Sequence, residues 1–189
     1  ASVPKVEKNN LDGKHFVVSG HEDELYKVEA MILKKGGEQT GDRFNVDLSI
    51  HVTGNLPNFS KLTELSRDEW DKLVDKFINT TAESAQSAIN TCFVRGGSDD
   101  PRKFKDAKGR IIIIGPALPA GKKISGHERA KVEVFRGALR PFVTTINQEL
   151  SDVLKSNIRV FLILPGTVDG KEPNDENIVN TINYLMSDE

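Results

Sequence analysis

The chain has 189 residues, 37% hydrophobic and 29% charged, which is enough for one domain with a sizeable core and too apolar for a disordered chain. A formal net charge of −2 supplies no electrostatic reason to bind nucleic acid or an anionic membrane. Its single cysteine, Cys92, excludes an internal disulfide and a cysteine metal cluster, so a reducing, cytoplasmic location is expected; a cleaved organelle peptide would leave the same mature sequence. The longest apolar stretch, around Ile111 to Ile114, is far too short to span a bilayer, and Ala1 to Lys5 has no apolar secretory core.

Residues 1–13 are polar and read as a tail leading to a turn at Asp12-Gly13, with residues 14–189 forming one domain. The β-branched and aromatic run His15-Phe16-Val17-Val18, followed by Ser19-Gly20, predicts a short buried strand. A helix is expected from about Glu22 to Lys35, with Leu25, Val28, Ile32 and Leu33 on one face and Gly36-Gly37 as its stop. Val46 to Val52 reads as a second strand. Ser66 and Glu69 then form a capping box, and Trp70, Leu73, Val74, Phe77 and Ile78 recur at helical spacing through Ala85, Ala88 and Ile89. Gly96 to Gly109 is a polar loop. Ile111 to Ile114 lacks alternation, as a strand covered on both faces of a parallel sheet does. A long helix is expected over about 128–154 with Pro141 inside it, then a strand over Ile158 to Leu164 and a last helix over 175–186. Strands alternating with helices predict an α/β fold built from right-handed βαβ units.

Four segments in this order resemble one known pattern. Val46-Asp47-Leu48-Ser49-Ile50-His51-Val52-Thr53-Gly54 resembles a strand leading into an Asn-Asn-Ala-Gly motif, and Trp70 opens the helix after it. Gly109 to Gly115 resembles a central strand, and Ile158 to Gly166 a strand ending in Pro-Gly. Order and spacing over residues 14–188 are similar to those of the short-chain dehydrogenase/reductase family, closest to its ketoacyl-reductase-like members. The resemblance implies a three-layer, Rossmann-like, doubly wound parallel sheet, a nicotinamide cofactor and an Asn-Ser-Tyr-Lys active site. Family members place two more strands before the Val46 strand, where this chain has only Gly37 to Asn45, so the sheet is expected to be reduced in its N-terminal half. Residues 184–189 fall where the family's final strand would begin.

Each functional element of that pattern fails in this sequence. The vestigial cofactor loop, Ser19-Gly20, is followed by His21-Glu22-Asp23-Glu24 in place of the glycines that let a backbone approach a pyrophosphate. Three carboxylates at a helix start repel a diphosphate, although they also serve as ordinary dipole complements. Matching the family's motifs puts Phe77 at the asparagine position, Pro116 at the serine, Val132 at the tyrosine and Arg136 at the lysine. Asn79 stands close to the asparagine position. The only tyrosines are Tyr26 and Tyr184. No cofactor, metal or catalytic residue is therefore expected, and the chain is read as inactive by itself.

Other chemistry is sparse. Among His15, His21, His51 and His127, the last two fall near the carboxyl ends of strands; a turn or capping role is expected, with acid–base chemistry at His51 the alternative. Cys92 reads as a buried hydrophobe, and Arg95-Gly96-Gly97-Ser98 lacks the features of a phosphate loop. Lys122-Lys123 with Arg102, Lys103 and Lys105 is a solvated face, or a basic rim suited to an acyl-CoA phosphate. The two long helices stay apolar where the family's helices form its dimer interface, which makes Phe77, Ala85, Phe135 and Phe142 candidate interface residues. The expected function is a structural or regulatory subunit paired with an active paralogue or with itself, resembling the inactive subunit of some hydroxyacyl-CoA dehydrogenases. The alternatives are a divergent NAD(P)-dependent reductase or hydroxyacyl-CoA dehydrogenase, and a module that binds acyl-CoA or another metabolite.

Overall fold

A computed structural model describes residues 8–21, 27–41, 45–58, 61–94, 101–118, 125–166 and 174–187. Five strands form one parallel sheet: β1 (His15–Gly20), β2 (Glu38–Gln39), β3 (Leu48–Val52), β4 (Lys108–Ile114) and β5 (Asn157–Ile163), in the order β2-β1-β3-β4-β5. This is a doubly wound, Rossmann-like α/β sheet whose switch point lies between β1 and β3. Between the first helix and the Val46 strand the chain forms only the two-residue β2, an element that the sequence pattern does not predict. Gly36 takes φ of +84°, and a Cβ there would stand 2.2 Å from Asp12 Oδ1, so only glycine turns the chain back this tightly. Glu38 then comes into register with His15.

Helices cover both faces, as the unbroken run Ile111–Ile114 requires. On one face Phe16, Leu48, Ile50, Val52, Ile112 and Ile114 pack against α1 (Val28–Lys34) and the C-terminal helix (Asp175–Leu185) through Val28, Ile32, Ile178, Val179 and Ile182. The other face carries Ile111, Ile113, Ile158 and Val160, covered by the two long helical rods. The first rod is α2 (Arg67–Val74), a π-helical turn (Asp75–Asn79), α3 (Thr80–Ser87) and a second π-helical turn (Ala88–Phe93). The expected capping box starts it: Glu69 N donates to Ser66 Oγ at 3.2 Å, and Ser66 N donates to Glu69 Oε2 at 2.8 Å. The second rod is α4 (Gly126–Gln148), opened by an equivalent Ser125–Glu128 box and ending in a π-helical turn (Glu149–Val153). Pro141 lies inside α4 on an exposed position and does not end it. The C-terminal helix is α5.

Three features were not legible from the sequence, because burial and tertiary bonding override local polarity. The end of the Gly96–Gly109 loop enters the core: Phe104 and Ala107 are both 5% exposed, β4 already begins at Lys108, and Gly109 meets the Phe93 ring so closely that a Cβ would stand 2.3 Å from it. At the outer edge of β5, Asn147 of α4 stands in for a neighbouring strand, since Val160 N donates to its Oδ1 at 2.9 Å and its Nδ2 donates to Val160 O at 2.7 Å. Such an amide blocks strand addition at that point. Nor is the polar lead-in a free tail from residue 8 onward. Leu11 is fully buried, Asn10 N donates to Asn183 Oδ1 at 2.7 Å, Asn10 Nδ2 donates to Asn183 O at 3.0 Å, and Asn183 Nδ2 donates to Lys8 O at 3.0 Å. Asn183→Leu removes both side-chain bonds at a site only 4% exposed, and is expected to cost about 1–3 kcal/mol. A lower urea midpoint at constant m-value checks this; an unchanged midpoint rejects the clamp.

Candidate functional site

The crevice of an open α/β sheet lies beyond the carboxyl ends of its strands at the switch point, here where β1 ends in Ser19 and Gly20 beside Val52. Gly20 takes φ of +91°, and a Cβ on it would stand 2.1 Å from Val52 O. His21 N donates to that same oxygen at 2.7 Å. The glycine is therefore required by the neighbouring strand, with no ligand involved. Glu22, Asp23, Glu24 and Tyr26 lie outside the described residues.

Beneath Ser19 sits His51, in register with it across β1 and β3. The expectation of a turn or cap at His51 is corrected: it occupies a fully covered strand and is 1% exposed. Ser19 Oγ lies 3.1 Å from His51 Nδ1 and 2.9 Å from Ser84 Oγ of α3, and donates to Ile50 O at 3.3 Å. His51 Nε2 is buried, with no hydrogen-bond partner among the described residues. Burial, and secondarily the nearby His21, lower the His51 pKa to about 4, so its imidazole is neutral at pH 7. Nucleophile and base are within reach, yet among the described residues no carboxylate orients the ring, as acyl-transfer chemistry requires. His127 lies exposed in the first turn of α4.

His51 sets an acid limit on stability. In the unfolded chain it takes up a proton near its ordinary pKa of 6.5, whereas the folded chain resists until about pH 4. The unfolded state binds more protons through that window, so the His51 contribution is complete above pH 6.5 and lost as pH falls toward 4. The loss amounts to about 3 kcal/mol. Urea denaturation at pH 7 and pH 4 should show a steeper loss for the wild-type chain than for His51→Gln; equal losses would reject this role.

Of the four positions that the resemblance assigns to catalysis, Pro116 and Arg136 meet beyond the carboxyl ends of β4 and β5, and Phe77 and Val132 are buried on the two rods. Phe77 is fully buried, Val132 is 3% exposed, and Pro116 is buried. Arg136, 5% exposed, is engaged by the main chain. Its Nη1 donates to Pro116 O at 2.9 Å and also to Pro165 O, and its Nη2 donates to Leu164 O at 3.4 Å. Glu133 Oε1 lies 3.5 Å from its Nε. One guanidinium thus ties the segment after β4 to the segment after β5, as its planar fork of donors allows. Asn79 is exposed and donates to Asp75 Oδ1 at 3.3 Å. Tyr184 is 67% exposed on α5, which packs on the opposite face of the sheet from α4.

Three candidate interface residues are buried within the chain itself. Phe77, Ala85 and Phe135 are 0%, 1% and 2% exposed, and the Phe77 and Phe135 rings meet at 5.0 Å in a cluster with Leu73. They fill the space between the two rods because their helical spacing points them inward. The fourth, Phe142, is half-buried and lines a cavity. The large apolar residues that the rods expose are Trp70, at 36% with its ring 5.9 Å from Phe135, Val134, at 41%, and, at the end of the second rod, Val153, at 73%. Cys92 is half-buried against the core. Lys122, Lys123 and the segment 95–98 lie outside the described residues, as does the Arg102 side chain. Among the described residues no three His, Cys, Asp or Glu side chains gather as a metal site, and no helix is long and apolar enough to cross a membrane.

No family model matches the sequence. It is 30% identical over 148 residues to an uncharacterized oxidoreductase of Staphylococcus aureus (strain N315), which covers 78% of this chain and 55% of that protein. An uncharacterized oxidoreductase of Staphylococcus epidermidis is 25% identical over 126 residues, covering 66% of this chain and 46% of the relative. The chain thus spans about half the length of the curated relatives it matches. By fold and by sequence it is a distant homologue of proteins named as oxidoreductases, built on a Rossmann-like parallel sheet.

Proposed function

We propose that this chain is a non-catalytic, oxidoreductase-like subunit that pairs with an active reductase or dehydrogenase paralogue, or with a second copy of itself. The observation that carries this reading is Arg136. Where the resembled family needs a lysine to assist proton transfer, this chain has a guanidinium already bound to three main-chain carbonyls. An arginine stays protonated, so it cannot take part as an acid or base. Pro116, Val132 and Phe77, at the other three positions, bring no exchangeable side-chain proton. The exposed Trp70 and Val134 on the two rods are the expected pairing surface, since half-exposed large apolar groups on adjacent helices favour association. The resemblance to ketoacyl reductases makes a hydroxyacyl-CoA the expected substrate class of the active partner.

Titration of the purified chain with NADH and NADPH tests the reading. No saturable fluorescence change is expected at micromolar cofactor, and native mass spectrometry at low salt should show a second protein chain. Micromolar cofactor binding with ketoacyl turnover by this chain alone would overturn the proposal.

A further inference from the structure

An open cavity of about 340 Å³ lies between the two rods, toward the amino ends of β4 and β5 and away from Ser19, within the size range of small-molecule sites. Its floor is Leu150 and Phe104, and its walls include the half-buried Phe142, Ile146 and Leu154. Four exposed polar residues rim it: Gln86, Asn90, Thr145 and Glu149. Among the described residues Glu149 is the sole ionisable one of this lining; Lys103 and Lys105 flank Phe104 in sequence and are not among the lining residues.

A second feature gives the site the same sign. Both rods end beside it, in the π-helical turns Ala88–Phe93 and Glu149–Val153, and the carboxyl end of a helix carries partial negative charge. Two helix ends and one carboxylate around an apolar floor disfavour an anion and favour a cation with an apolar body. π-Helical turns recur at functional sites because they displace side chains from the regular helical stripe.

We propose that this cavity binds a small amphipathic amine. One or two rings rest on Phe142, Ile146 and Leu150, and the ammonium meets Glu149. The side-chain oxygens of Gln86, Asn90 and Thr145 accept its remaining hydrogen bonds. This ligand class is distinct from the anionic nucleotides and acyl-CoA that a Rossmann-like crevice would take, and the site does not depend on the loss of catalysis argued above.

Amide chemical shifts of the full chain, titrated with 2-phenylethylamine, 2-phenylethanol and 3-phenylpropionate, provide the test. Saturable shifts are expected at residues 86–90 and 145–150, with the amine binding at least about tenfold tighter than the carboxylate, a ratio set by one charge contact. Glu149→Gln should bring the amine down to the level of the alcohol. Ile146→Trp, or Thr145→Trp if the former perturbs shifts elsewhere, should fill the cavity and abolish binding of all three. Absence of saturable shifts, equal binding of amine and carboxylate, an amine preference that survives Glu149→Gln, or these amides being covered by a second protein chain would each overturn the proposal.

Discussion

Arg136→Met should lower the stability of the chain by about 3–5 kcal/mol, although Met matches much of the arginine's length and apolar stem. The cost arises at the partners. Pro116 O, Pro165 O and Leu164 O lose their charged donor together, and the segments after β4 and β5 lose the group that joins them. Arg136→Lys should recover only part, because one ammonium cannot reproduce a planar fork spanning two segments. Urea denaturation of the three proteins checks the order wild type, Lys, Met. A Met variant within about 1 kcal/mol of wild type would reject the clamp, and with it the main support for a non-catalytic site.

Phe77→Ala and Phe135→Ala should each cost about 3–5 kcal/mol, the range for emptying a buried aromatic site. Both rings are essentially inaccessible and touch one another, so the double variant should cost less than the sum, by about 0.5–1.5 kcal/mol for the lost ring pair. These losses should appear at every protein concentration, since both residues serve the chain's own interior. Trp70→Ala and Val134→Ser should behave differently. Each removes a partly exposed side chain, should change monomer stability far less, and should weaken any pairing seen by sedimentation. If truncating Phe77 instead dissolved an assembly without destabilising the chain, the core assignment would be wrong.

The burial of Phe77 and Phe135 within the chain shows what one-dimensional pattern can and cannot carry. Helical spacing marks which face of a rod is apolar; it does not say whether that face meets the same chain or another. The same limit applies to His51. Its strand is legible from Leu48, Ile50 and Val52, but its partner Ser19 comes from β1, and Ser84 of α3 bonds that serine in turn. Asn147 and Asn183 carried no signal at all, because an asparagine on a helix reads as surface until the strand edge or chain terminus it bonds is in place. Phe104 was hidden in a charged loop for the same reason.

The fold class, the alternation of strands and helices, the Ser66–Glu69 capping box and the absence of a serine, tyrosine and lysine from the resembled catalytic positions were determined by sequence alone. They rest on local geometry: a period of two or 3.6, a side chain reaching three residues ahead, or the simple chemical identity of a residue. Tertiary structure alone decided that a two-residue β2 extends the sheet, that Arg136 closes the gap between the segments after β4 and β5, and that a cavity rimmed by the Glu149 carboxylate opens between the rods. Each depends on groups distant in sequence meeting at a few ångströms, and the energies involved, a shared guanidinium or a stacked ring, exist only once the sheet has brought them together.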